Sequence, residues 1–390
     1  MMAVSAQSTA LAPVPMLDFQ REYALLRDEL LAAITSVCDS QRFILGPQVA
    51  SFEAAAARAC GVSHAIGCAS GTDALWLALA ALRIGPGDAV LTTPFSFFAT
   101  VSSILRAGAR PLLADIDEHT FNLSPAAVAT TLAQHQGAPI RAVMSVHLYG
   151  QCADMDALTS LAQQHSFSLV EDAAQAFGAR WNDKPAGALG DIAAFSFYPT
   201  KNLSAFGDAG MCTTNDAALA ERMVMLRAHG MRQRYYHDEV GWNSRLDTLQ
   251  AAVLEVKLRH VEAGNTRRRE IAALYDTLFQ NSRLTAPTTN LGIVLPATDP
   301  RATHVFHQYV IRAPRRDALR DHLTALKIGT EIYYPEPLHL QKSLASLGYK
   351  LGDFPIAERA AAEVLALPIF PGLRNDEVET VVEAIRRFYQ

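Results

Sequence analysis

Charge is scarce in this chain of 390 residues: 19% are Asp, Glu, Lys or Arg, and the formal net charge is −5. The two signs are interspersed, and no basic run or stripe suggests a nucleic-acid surface. Cysteine is scarce too. Cys38, Cys60, Cys68, Cys152 and Cys212 are odd in number and scattered, with no C-x-x-C pair. That usage argues against a disulfide framework or a cysteine zinc site and predicts a reducing cytoplasm. No apolar run is long enough to cross a bilayer. The opening MMAVSAQSTALAPVP lacks the cationic start and long apolar core of a secretory signal, and residues 1–15 read as a loose leader. Internal repeats and low-complexity linkers are missing as well. What the chain does have is apolar residues, half of the total, enough to bury the cores of one large and one small domain.

From about residue 64 to 230, short β-rich runs alternate with helical patterns. HAIGCAS (64–70) is strand-like and TDALWLALAALRI is helical. AVLTTP resumes an extended run after the turn GPGD (85–88), ATVSSILRAG is helical, and PLLADI is extended again. AVMSV (142–146), a helix over Asp154–His165 and SLVED (168–172) continue the series. Such alternation predicts an α/β fold, a mainly parallel sheet with helices on both faces. The large domain is expected over 16–245. Residues 246–390 are expected to hold a long helical connection, to about Gln280, and a smaller α+β domain. In that domain HQYVIR and IGTEIYY read as strands, and NDEVETVVEAIRRF reads as a helix opened by an Asn cap.

Ligands of open α/β sheets sit beyond the carboxyl ends of the strands. SGTDAL (70–75) opens a helix there: Gly71 permits close backbone approach, free N–H groups attract an anion, and Thr72 adds a hydroxyl. A plain capped helix start accounts for the same residues. Asp172 and Gln175 follow the strand SLV, as a helix cap or as partners of a cofactor ring. The stretch FSFYPTKNLSAFGDAGMCTT (195–214) says most. Lysines are usually solvated, but Lys201 sits among Phe, Tyr, Leu and Ala. Desolvation there lowers an amine's pKa and makes it nucleophilic, a candidate for a Schiff base. Pyridoxal phosphate needs such an amine, a carboxylate for its pyridine nitrogen, an anion cup and a flat apolar partner. Lys201, Asp172, Gly71/Thr72 with Ser196, and Phe97 can fill these roles, although an aromatic such as Phe97 is more often a core residue.

With these segments the chain resembles the DegT/StrS-type nucleotide-sugar aminotransferases, which have the fold-type-I architecture of pyridoxal-phosphate enzymes. The likeness runs from about residue 15 to 385, through FILGPQVASFE, TPFSFFAT, VHLYGQCADMDAL, EDAAQAFGA, FSFYPTKN, GWNSRLDTLQAA and IYYPEPLH. It implies amino transfer from an amino acid, L-glutamate by analogy, to a keto group of a nucleotide-linked hexose, with pyridoxamine phosphate between the two halves. It implies that Lys201 is the cofactor lysine and general base, that Asp172 partners the pyridine nitrogen, and that Gln175 lies near the ring hydroxyl. Gly71, Thr72 and Ser196 are then phosphate contacts, Phe97 stacks on the ring, and Asn243 reaches the phosphate of a neighbouring subunit. The active sites are accordingly expected to be shared in a homodimer. Tyr198, Tyr333 and Tyr334 resemble positions lining the substrate side, with Arg232, Tyr235 and His237 a segment from the partner; His147 and Tyr149 are expected to support the core. Phe177 and Tyr333 stand where many relatives have His, and Ser204 and Ala209 replace frequent glycines.

Two alternatives stay within the family: a sugar dehydratase, whose representatives characteristically have His in place of the lysine, and a non-catalytic regulator. A nicotinamide-dependent oxidoreductase is disfavoured because GPGDAV (85–90) precedes its strand and lacks a third glycine.

Overall fold

The computed structural model describes residues 11–285 and 292–390. Its centre is a seven-stranded sheet made of β1 (His64–Cys68), β2 (Ala89–Thr92), β3 (Arg110–Leu113), β4 (Ile140–Val146), β5 (Ser168–Asp172), β6 (Ile192–Ser196) and β7 (Gly210–Thr214). The spatial order is β1-β7-β6-β5-β4-β2-β3. All neighbours are parallel except that β7 runs antiparallel to both β1 and β6. The alternation in the sequence thus yields the expected α/β sheet.

Successive strand residues enter different cores. In β4, Ala142 and Met144 pack on one face and Val143 on the other, and in β5, Val170 and Leu169 divide in the same way. Because both faces are covered, these strands read as continuous apolar runs rather than alternating ones. Helices Gly71–Ala81 and Ala217–Leu226 cover the first face, and helices Pro47–Cys60 and Met155–His165 the second.

The helical pattern after Arg245 is two helices, Thr248–Leu258 and Val261–Asn281. Ala251 and Leu254 of the first pack in the core of the sheet, beside Phe52. Ile271, Tyr275 and Phe279 of the second pack in a C-terminal core. There β8 (Tyr309–Arg312) pairs antiparallel with β9 (Val364–Leu367), under helices Arg316–Ala325 and Asn375–Tyr389.

Three expectations need correction. Residues 1–10 of the leader lie outside the described residues, but its end is tied down. Val14 is fully buried, its N–H donates to Lys327 O at 3.1 Å, and its carbonyl accepts from Gly329 N at 2.8 Å. IGTEIYY is not a strand: it makes only isolated bridges, Ile328 with Val14 and Glu331 with Ala366, and between them Gly329 lies against Met16, where a Cβ would stand 2.4 Å from the Met16 nitrogen. The last helix is entered from Arg374, whose N–H donates to Glu377 at 2.9 Å, so Asn375 is its first residue and not its cap. Among the described residues no helix is long and apolar enough to cross a membrane.

Candidate active site

Three strand ends meet at the carboxyl edge of the sheet. Ser196 ends β6, Cys68 ends β1, and both pair with Gly210, the first residue of β7. A Cβ on Gly210 would stand 2.2 Å from Ser70 O, and one on Gly71 only 2.5 Å from Ser196 Cβ, so only glycine lets the strand ends close on the start of helix Gly71–Ala81. Ser70 caps that helix through Asp73 N at 3.1 Å. The N–H groups of a first turn have no partner inside their helix, and the helix dipole adds positive potential there. Gly71, Thr72 and Ser196 therefore stand together at a helix start able to attract an anion.

Asp172 ends β5 and is 5% exposed. Thr100 Oγ1 donates to its Oδ2 at 2.8 Å and Ala174 N–H to its Oδ1 at 3.3 Å; the hydroxyls of Ser96 and Thr100 are 2.8 Å apart. Burial raises the Asp172 pKa, against the pull of these donors and of Lys201 and His147.

Lys201 lies in the loop between β6 and β7. Phe197 N–H donates to Ala209 O, Ala205 N–H to Phe197 O and Lys201 N–H to Tyr198 O, each at 2.8 Å, which fixes the loop's shape. Burial lowers the amine's pKa to about 8, and the nearby Asp172 carboxylate opposes that fall. In the cofactor-free chain, the neutral amine should therefore grow about tenfold per pH unit below the bend and level off above it, where an ordinary lysine still climbs. Acylation of Lys201 followed by mass spectrometry should bend near pH 8; a bend two units higher, about that of a free lysine, would contradict the site.

Phe97 is 59% exposed, not a core residue, with its ring centroid 6.3 Å from that of Tyr334. Gln175 accepts from Tyr149 N–H at 2.6 Å and donates to the Tyr334 hydroxyl at 3.2 Å. Tyr334, expected on the substrate side, thus stands with the groups around Asp172, whose charge adds to burial in raising its pKa. Tyr149 is buried, and its hydroxyl donates to the carbonyl of Tyr333. His147 is buried against Glu171 at 3.0 Å. Phe177 packs edge-on to Phe195 at 5.5 Å in the core, and Ser204 accepts from Lys257 Nζ at 2.9 Å. Tyr198 is exposed at the rim.

Four expected residues lie apart. Arg232 and His237 belong to the exposed hairpin Met231–Gln233/Tyr236–His237, and Tyr235 forms its turn. Arg232 pairs with Asp238 at 3.3 Å, and His237 Nδ1 with His229 O at 2.8 Å. Asn243 is exposed, joined through its backbone to Ala228. Among the described residues no hydrogen bond or ion pair joins these four to Lys201 or Asp172. Thr100 and Ser96 were missed by the sequence reading, although both stand in TPFSFFAT. Both follow the carboxyl end of β2, where ligands of such sheets sit, but Ser96 precedes the helix Ala99–Arg106 that holds Thr100, and only the fold brings the two hydroxyls together.

The sequence profile described as the DegT/DnrJ/EryC1/StrS aminotransferase family matches residues 25–386. The chain belongs to that family. It is 48% identical over 377 residues to a "Pleiotropic regulatory protein" of Geobacillus stearothermophilus, covering 97% of this chain and 99% of the relative. It is 44% identical to a dTDP-3-amino-3,4,6-trideoxy-alpha-D-glucose transaminase of Streptomyces venezuelae, covering 96% of each. Among solved structures, S. venezuelae DesV in complex with a ketimine intermediate superposes with a TM-score of 0.91 at 44% identity, covering 97% of this chain and 99% of that one.

Aminotransferases of this family depend on pyridoxal phosphate. The residues of this chain fit it. A buried carboxylate, a desolvated amine beside it, a glycine-lined helix start and an exposed flat aromatic lie at one sheet edge.

Proposed function

We propose that this aminotransferase moves an amino group from L-glutamate to the C3 keto group of a nucleotide-linked hexose, as a step in amino-sugar biosynthesis. The observation that carries the reading is the pairing of a Lys201 amine poised near neutrality with the buried Asp172 carboxylate. C3 is favoured by the S. venezuelae transaminase, whose name places its amine there. Pyridoxal phosphate, when bound, supplies an aldehyde that carries the amino group and a cationic ring that draws electrons from the reacting carbon.

The protein's own residues then divide the work. Lys201 Nζ would take the proton from the α-carbon of the amino-acid donor and pass it to the aldehyde-derived carbon of the cofactor, and would make the reverse transfer onto the sugar carbon. Asp172 holds the positive ring nitrogen, with Thr100 and Ala174 fixing the carboxylate. Gly71, Thr72 and Ser196 bind the phosphate, Phe97 covers the ring, and Gln175 with Tyr334 orients its edge. Tyr198 and Tyr333 offer polar-tipped aromatic surface to the sugar. A second copy of the chain supplies Asn243, Arg232, Tyr235 and His237; support comes from their exposure here and from the bare apolar surface of Phe97, Phe98 and Tyr198.

Incubation with glutamate and a panel of 3-keto and 4-keto nucleotide sugars should release 2-oxoglutarate, with the 3-keto compounds fastest. Sugar turnover without 2-oxoglutarate would instead identify a dehydratase. No turnover on any sugar would favour the regulatory role after which the G. stearothermophilus relative is named.

A further inference from the structure

We infer that His307, which the reaction as described does not use, is a positioning residue that couples the loop carrying Lys201 to Tyr333 on the sugar side. The inference rests on the aminotransferase reading above and extends it to the order in which substrate contacts and base are set.

The chain of contacts begins at Asn202, the residue after Lys201. Asn202 Nδ2 donates to Asn265 Oδ1 at 2.7 Å and to Val305 O at 3.1 Å, so its Oδ1 is left as the acceptor facing His307 Nδ1 at 3.1 Å. An amide oxygen can only accept, so His307 Nδ1 carries the proton and Nε2 is the acceptor. Nε2 is 3.4 Å from Gln308 Nε2, which can only donate. One neutral tautomer satisfies the whole line, and a second proton on the ring would meet the Gln308 donor head-on. Burial, reinforced by Lys201, Arg268 and His304, holds the His307 pKa well below its usual value, in agreement with that tautomer.

Gln308 continues the line through its backbone. Its backbone N–H donates to Tyr149 O at 3.2 Å, and the Tyr149 hydroxyl holds the Tyr333 carbonyl. Asn265, His307 and Gln308 are all buried. Polar groups in such a place keep their partners because an unmade hydrogen bond is costly there, so a shift at either end is transmitted along the line. His307 is buried and makes no hydrogen bond to Lys201 Nζ among the described residues, and its effect runs through its neighbours.

The test uses full-length protein. His307→Asn keeps a donor towards Asn202 but loses the acceptor for Gln308, whereas His307→Leu keeps neither. His307→Leu should move the bend in the Lys201 acylation profile of the cofactor-free chain upward by about half a pH unit, as the loop loosens and water reaches the amine. It should also raise KM for the keto sugar about tenfold. His307→Asn should raise KM alone and leave the bend in place. Combined with Tyr149→Phe, which frees the Tyr333 carbonyl, His307→Asn should cost no more in KM than either change alone, because both break one line. A folded His307→Leu with unchanged bend and KM, or additive KM effects in the double variant, would overturn the inference. If His307→Leu does not fold, ring 15N shifts of wild-type His307 decide: a cationic ring or the Nε2–H tautomer refutes the line. The acylation profile needs neither cofactor nor sugar, so a substrate panel that fails altogether would leave this test readable.

Discussion

Lys201→Ala is expected to fold normally and to lose turnover by at least about four orders of magnitude, the scale reached when the group that carries both attachment and proton transfer is removed. The side chain supports no packing that its loop needs. The loop is closed by backbone hydrogen bonds from Phe197, Lys201 and Ala205, and anchored by Asn202 and Ser204. Lys201→Arg should be as inactive, because a guanidinium does not give up its proton and cannot serve as a base. A small amine such as methylamine should partly restore Lys201→Ala and leave Lys201→Arg unrescued, since arginine fills the space. Steady-state rates with glutamate and keto sugar, with and without methylamine, check all three. A Lys201→Ala protein retaining more than about a tenth of normal turnover would remove the lysine from the chemistry. The same variant separates enzyme from regulator: a protein acting only by binding would keep its biological effect without the amine.

The sheet was legible because its strands are buried on both faces, and apolar runs such as AVMSV have no other home in a chain of this composition. Strand ends were legible for the same reason, which brought out Asp172, Ser196 and Lys201. The corrections come from contacts between segments far apart in sequence. Val14 is held by Lys327 and Gly329, more than three hundred residues away, so nothing local marks it as ordered. IGTEIYY has the composition of a strand, but its pairing changes partner within three residues, from Val14 at Ile328 to Ala366 at Glu331, so neither ladder extends. Tyr334 illustrates the limit within the site. A tyrosine in IYYP suits sugar recognition, yet its hydroxyl lies with Gln175, a residue 159 positions earlier. Thr100 is the opposite case, because its place just after a strand end was on view and only a carboxylate across the sheet gave it meaning.

Asp172→Asn is expected to cost about a thousandfold in turnover, the scale seen when a preorganised charge is removed from a water-excluded site. The amide matches the carboxylate in shape, so the cause is the charge. Thr100 can accept from the new amide and turn its own proton to the Ser96 hydroxyl 2.8 Å away, and the fold should survive with little change in Tm. Thr100→Val, which removes one donor and leaves the charge, should cost only about fivefold, the effect of one neutral hydrogen bond. A second readout follows from sign alone. Burial lowers the Lys201 pKa, and Asp172 is the named influence raising it. Neutralising Asp172 leaves burial unopposed, so the bend in the acylation profile of cofactor-free Asp172→Asn should fall below the wild-type value of about 8. If Asp172 instead acted only as a cap for the chain after β5, through its 3.3 Å bond from Ala174, the bend would stay and stability would drop. Loss of turnover with a lowered bend and an unchanged Tm is the combination that only a charge facing both the amine and the ring nitrogen produces.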